Sequence, residues 1–197
     1  PVALIENHDS VVFFNFREDR ARELTQAFAL PAFEGFTRTQ LDIHFTTLIE
    51  YERGLPVHIA FPPEDIKNSL GEVLSTSGKK QLRIAETEKY AHVTYFFNGG
   101  EEKAFPGEEH LLVPSPTVAH FDEVPEMSSP QITEKLIEQI EAGTYDFILV
   151  NYANADMVGH TGNEEASIKA VEATDKSLSI LIPAILKAGG VAFITAD

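Results

Sequence analysis

The densest concentration of chemically versatile side chains is Asn151-Tyr152-Ala153-Asn154-Ala155-Asp156-Met157-Val158-Gly159-His160-Thr161-Gly162. Asp156 and His160 stand four apart, with Gly159 between them to let the backbone turn. One carboxylate and one imidazole make a mixed oxygen and nitrogen donor pair, suited to Mn²⁺, Zn²⁺ or another ion of intermediate softness. Taken alone, an Asp and a His in a polar loop are more often surface residues. A second carboxylate, Asp197, closes the apolar run Val191-Ala192-Phe193-Ile194-Thr195-Ala196. If the two strands concerned are neighbours, Asp156 and Asp197 emerge at one sheet edge. There they repel each other unless a cation neutralises them or one takes up a proton. Two-metal phosphoryl-transfer sites use such carboxylates, with ions about 3.5–4 Å apart. Read locally, Asp197 simply starts a turn.

An anionic small substrate would need a local cluster of Arg or Lys to overcome the chain's net charge of −16. Arg17 and Arg20, in Phe16-Arg17-Glu18-Asp19-Arg20, put one guanidinium at a strand end and the other in a first helical turn. Both can converge on one anion, each offering a bidentate fork. Taken by itself the segment reads as a surface Arg-Glu-Asp-Arg charge run, and Glu18 and Asp19 could also hold the arginines in place. Lys89 stands where a helix is expected to start, an awkward place for a cation unless an anion sits nearby. His44, His58, His92, His110 and His120 show no ligand spacing and read as surface or packing residues.

The elements that must position these groups are legible from patterning. Val11–Phe16 reads as a buried strand, Asp19–Leu30 as an amphipathic helix ended by Pro31, and Ile43–Tyr51 and Val57–Phe61 as extended pieces. Phe61-Pro62-Pro63-Glu64-Asp65 is the best domain boundary, because consecutive prolines fit neither helix nor central strand. Beyond it, helices are expected over Asn68–Thr76, Lys89–Asn98, Ser129–Ala142 and Glu164–Lys187. Strands are expected over Leu82–Glu86, His110–Val113, Asp146–Tyr152 and Val191–Thr195. Gly99-Gly100, Gly143 and Gly189-Gly190 stand where helices end, and Pro183 should kink the last helix or mark an earlier boundary. Helices alternating with apolar strands imply an α/β fold, a mostly parallel sheet with helices on both faces. Residues Asn151–Gly162 would then lie at the carboxyl end of a strand, where ligands gather in such sheets.

Composition narrows the classes. The 197 residues are 43% hydrophobic and 23% charged, as in ordinary globular proteins. A net charge of −16 argues against nucleic acid as a partner. No apolar run approaches the roughly 18–20 residues of a membrane span. The absence of cysteine excludes disulfides and thiolate metal sites. The first residues lack an initiator Met and signal-peptide character, so the N-terminus reads as a cut end and cytoplasm as the default location.

Several motifs, in order and in register, carry a resemblance. Asn154-Ala155-Asp156-Met157-Val158-Gly159-His160-Thr161-Gly162 is followed by Ala170-Val171-Glu172-Ala173-Thr174-Asp175 and Ile194-Thr195-Ala196-Asp197. Upstream stand Phe14-Asn15-Phe16-Arg17-Glu18-Asp19-Arg20, Ile84-Ala85-Glu86-Thr87-Glu88-Lys89-Tyr90 and Phe105-Pro106-Gly107-Glu108-Glu109. Together they resemble the cofactor-independent phosphoglycerate mutases of the alkaline phosphatase superfamily.

The resemblance implies an internal fragment of a two-domain enzyme. Residues 1–62 would be the C-terminal part of a substrate-binding phosphotransferase domain, itself α/β. Residues 63–197 would be the central part of the metal-binding, alkaline phosphatase-like domain. It further implies Asp156 and His160 as ligands of one metal, Asp197 as a ligand of the other, Lys89 at the transferred phosphate, and Arg17 and Arg20 as substrate binders. Two divalent ions are implied, Mn²⁺ first with Mg²⁺ and Zn²⁺ as alternatives, and no 2,3-bisphosphoglycerate. The implied reaction interconverts 3-phosphoglycerate and 2-phosphoglycerate in glycolysis through a phosphoserine whose Ser lies outside this chain. The isolated chain is therefore expected to be inactive. The whole enzyme is expected to be a cytoplasmic monomer without nucleic-acid or membrane partners, while exposed strand edges would let this chain self-associate. Two other readings remain open: a phosphatase, phosphopentomutase or sulfatase of the same superfamily, and a non-enzymatic acidic interaction module.

Overall fold

The computed structural model describes residues 3–64 and 66–196, and two compact units divide at residue 65. In the first, β1 (Ser10–Phe13), α1 (Asp19–Ala29), β2 (His44–Thr47) and β3 (His58–Ile59) follow one another. The three strands form a parallel sheet in the order β1-β2-β3, with Ser10 opposite His44 and Thr46 opposite His58. Strand alternation puts Phe13 and Phe45 on one face, where Phe45 stacks on Phe28 of α1 and Phe13 meets Tyr51 edge to face. Val12, Phe14 and Phe16 are exposed.

The second unit runs α2 (Leu70–Thr76), β4 (Gln81–Glu86), α3 (Tyr90–Val93), β5 (Glu108–Val113), α4 (Ser129–Ala142), β6 (Phe147–Asn151), α5 (Asn154–Gly159) and α6 (Glu164–Lys187). Its sheet is parallel, in the order β5-β4-β6, with Ile84 opposite both Leu111 and Val150. Every residue of β4 is buried, as a central strand covered on both faces requires. On one face Ile84 packs with Val113 of β5, Ile132 and Leu136 of α4 and Leu181 of α6. On the other, Gln81 and Arg83 face α2 and the turns after α3: Gln81 donates to the Gly71 carbonyl, and the Arg83 guanidinium lies over the rings of Phe97 and Phe147. The expected mostly parallel α/β architecture is therefore what the chain adopts.

Several local expectations give way: β1 stops at Phe13 and is half exposed rather than running buried to Phe16, and β2 covers only His44–Thr47 of the extended piece expected over Ile43–Tyr51. Residues 191–196 form no strand; Val191, Phe193 and Ile194 are exposed, and no strand among the described residues pairs with them. A strand exists only through its ladder partners, which apolar composition alone cannot supply. The helix expected over Lys89–Asn98 is a 3₁₀ turn, Thr87–Lys89, then α3, which stops at Val93. Val93-Thr94 and three consecutive aromatic residues are weak helix formers, and the Thr94 hydroxyl donates back to the Tyr90 carbonyl. Pro183 marks no earlier boundary, and α6 runs Glu164–Lys187 as its pattern predicts. Finally, Gly159 makes no turn between Asp156 and His160, because it closes α5 in helical conformation.

Candidate active site

Strand β4 lies between β5 and β6, so the chain order reverses at its carboxyl end, where open α/β sheets collect ligands. Two adjacent strands deliver their following residues there. After β4 the 3₁₀ turn presents Lys89, and after β6 the short helix α5 presents Asp156 in its first turn and His160 as its C-terminal cap. Four-residue spacing on a helix puts Asp156 and His160 on one face. The structure joins all three: Lys89 Nζ lies 2.5 Å from Asp156 Oδ2, and His160 Nε2 lies 3.2 Å from Asp156 Oδ1.

Lys89 is only 6% exposed, so its ammonium cannot rely on water and needs an anion. Asp156 is that anion, which accounts for a cation at a helix start. The Asp156 carboxyl is held below the usual carboxylate range, first by its hydrogen bond to Lys89. Partial burial opposes this, while the charges of Lys89, His160 and His92 reinforce it. Asp156 is consequently anionic at neutral pH, the form a metal ligand requires.

As a donor set, the pair fits one divalent ion incompletely. The His160 side chain is 76% exposed and that of Asp156 36% exposed, so both can reach an incoming ion. Among the described residues no third His, Cys, Asp or Glu completes a cluster. Asp197, the remaining sequence-derived ligand, lies outside the described residues.

Arg17 and Arg20 belong to the other unit. Arg17 lies in the exposed segment leaving β1, and Arg20 is the exposed second residue of α1. The strand exit before Arg17 is fixed by the buried Tyr51, whose hydroxyl donates to the Asn15 carbonyl at 2.6 Å. The Arg17 amide approaches Asn15 Oδ1 at 3.4 Å.

Several residues that shape this region have no role assigned by the sequence, although Glu86 and Asn154 stand inside the motifs. Glu86 ends β4 fully buried, and burial pushes its carboxyl up despite hydrogen bonds from Ser115 and Ser128. Asn154, also fully buried, opens α5 and donates to the Pro125 carbonyl. A carboxylate at the end of a buried strand was a readable signal, because buried acids need partners. His92, whose charge acts on Asp156, carried no comparable signal.

The sheet thus reverses at β4 with Asp156, His160 and the buried Lys89 gathered at that point. The chain belongs to the Metalloenzyme superfamily, whose family model matches residues 13–197. Over its full length it is 54% identical to 2,3-bisphosphoglycerate-independent phosphoglycerate mutase 2 of Methanosarcina acetivorans, of which it covers 38%. It is likewise 54% identical to the 2,3-bisphosphoglycerate-independent phosphoglycerate mutase of Clostridium botulinum strain Langeland, covering 39%. Among solved structures it resembles Leishmania mexicana phosphoglycerate mutase at low cobalt concentration, with a TM-score of 0.71 and 37% identity. That match covers 96% of this chain and 35% of the other. The likeness read from the motifs therefore runs the whole length of the chain, which spans about two-fifths of the curated relatives it matches.

Proposed function

We propose that this chain is the part of a 2,3-bisphosphoglycerate-independent phosphoglycerate mutase that supplies one metal-binding edge and part of the substrate site. The observation that carries this reading is the Lys89–Asp156–His160 constellation at the reversal of a parallel sheet. The whole enzyme interconverts 3-phosphoglycerate and 2-phosphoglycerate, a glycolytic step, in the cytoplasm. It needs no bisphosphoglycerate, acts as a monomer, and has neither nucleic acid nor membrane as a partner. Residues 1–62 belong to its phosphotransferase domain and residues 63–197 to its metal-binding domain.

In this reading Asp156 and His160 hold one divalent ion, Mn²⁺ first among the candidates, and Asp197 belongs to the second site. Bound ions activate the hydroxyl nucleophile and neutralise phosphate charge. Lys89 donates to a phosphoryl oxygen as charge develops there, its position preset by Asp156 so that little reorganisation is needed. Arg17 and Arg20 bind the anionic substrate through their guanidinium forks. No helix among the described residues is long and apolar enough to cross a membrane.

Phosphorus NMR on the natural full-length protein with Mn²⁺ and 3-phosphoglycerate tests the reading. Formation of 2-phosphoglycerate is expected, falling by about 10²-fold or more in Lys89→Ala. Phosphate release without 2-phosphoglycerate would replace the mutase reading with a phosphatase one. The 197-residue chain by itself is expected to give no 2-phosphoglycerate.

A further inference from the structure

Lys89 and Asp156 leave different strands, so something must fix the 3₁₀ turn after β4 and the helix after β6 in one register. A continuous polar chain runs between them. Glu86 Oε2 accepts a hydrogen bond from the Ser115 hydroxyl at 3.0 Å. Ser115 is in turn clasped to the turn that carries Lys89: its amide donates to Thr87 Oγ1 at 3.1 Å, and its Oγ faces the Glu88 amide at 3.4 Å. The other oxygen of Glu86, Oε1, faces the Ser128 amide at 3.4 Å, and the Ser128 hydroxyl donates to the Pro114 carbonyl at 2.8 Å. From there the chain reaches α5, because Asn154 Nδ2 donates to the Pro125 carbonyl at 2.9 Å and lies 3.5 Å from Ser129 Oγ. Glu86, Ser128, Ser129 and Asn154 are all buried.

A buried carboxylate is costly to desolvate, and hydrophobic residues of similar size would fill a strand end more cheaply. What a carboxylate offers is two acceptor oxygens pointing in different directions. Here one secures the loop after β5, which holds the Lys89 turn. The other secures the start of α4, against which Asn154 anchors α5. We propose that Glu86 is a positioning residue that keeps Lys89 and Asp156 in contact by tethering both of their elements through Ser115 and Ser128. This rests on the reading of Lys89 and Asp156 as the working pair of the site, but its test needs no turnover.

The test is site-resolved reductive methylation of lysines in this chain, read by mass spectrometry, with amide exchange of residues 154–160 measured in parallel. Lys89, buried and ion-paired, should label about tenfold or more slowly than the exposed Lys187. Glu86→Ala should raise Lys89 labelling about fivefold and speed exchange over 154–160, leaving Lys187 within about twofold. Glu86→Gln can keep both tethers, its amide oxygen accepting from the Ser128 amide and its Nε2 donating to the rotatable Ser115 hydroxyl, and should return Lys89 to within about twofold of the parent chain. A folded Glu86→Ala chain with Lys89 still protected would overturn the proposal, as would Glu86→Gln behaving like Glu86→Ala. If Glu86→Ala unfolds, so that all lysines label together, Ser115→Ala is read by the same criteria. A parallel Mn²⁺ titration separates the two ideas. Mn²⁺ binding unchanged in Asp156→Ala would remove the metal reading, while the labelling result would still decide the role of Glu86.

Discussion

Lys89 and Asp156 are paired at 2.5 Å although their burial is unequal, Lys89 lying almost wholly inside and Asp156 opening toward solvent. The inequality decides what each substitution does. Asp156→Asn leaves an ammonium that water cannot reach, whereas Lys89→Met leaves a carboxylate that can hydrate. Asp156→Asn should therefore destabilise the second unit by about 1–2 kcal/mol and Lys89→Met by less. Urea unfolding of the two variants measures the order. The reverse order would mean that the pair is not what keeps Lys89 inside.

The same pair sets an acid limit. The folded Asp156 carboxyl ionises below the ordinary carboxylate range, chiefly through its hydrogen bond to Lys89, so between its folded and unfolded values the unfolded chain binds more protons. The stability it contributes is complete above about pH 4 and is lost as pH falls through the lower folded value. The difference in urea midpoint between parent and Asp156→Asn should shrink steadily below about pH 4. A difference that stays constant into acid would contradict the depressed carboxyl.

A second ion pair lies deeper. Arg83 and Glu108 are buried together, with Arg83 Nε 3.7 Å from Glu108 Oε1, Asn98 donating to that same oxygen at 2.8 Å, and His110 Nε2 at 2.5 Å from it. Removing one partner strands the other charge, so Glu108→Ala should cost about 3 kcal/mol. The double variant Arg83→Met with Glu108→Leu should recover most of that loss. Denaturant midpoints of the single and double variants decide it.

In the first unit Tyr51 holds the exit of β1 through the Asn15 carbonyl. Tyr51→Phe should cost about 1 kcal/mol in that unit and leave the second unit's unfolding unchanged. In the full-length protein, phosphoglycerate affinity should weaken, because the segment bearing Arg17 loses its anchor. Separate near-ultraviolet and binding measurements distinguish the two effects.

Much of this was legible in the sequence. The β4 and β6 strands, α4 and α6 declare themselves through apolar runs and through glycines just past the helix ends, Gly143 taking the left-handed cap of α4. Asp156, His160 and Lys89 emerged as one set from motif order. Their mutual contact did not, because it depends on β4 and β6 being neighbours, and strand adjacency is not encoded locally. Helix α5 was missed because six residues are too few to show helical periodicity. The tail at 191–196 was misread because strand propensity describes a pleated, half-buried setting, and these residues have none here.

The β5-β4-β6 order has a consequence for how the chain folds. Pairing β4 with β5 closes a modest loop, whereas pairing β4 with β6 closes a longer one that contains β5 and α4. Long closures of this kind slow folding more than they cost stability. Because Lys89 follows β4 and Asp156 follows β6, their contact is expected to form together with that longer-range pairing. Protection of the Lys89 amine is thus a clock for that pairing, and the polar centre is expected to be a product of folding rather than a seed for it.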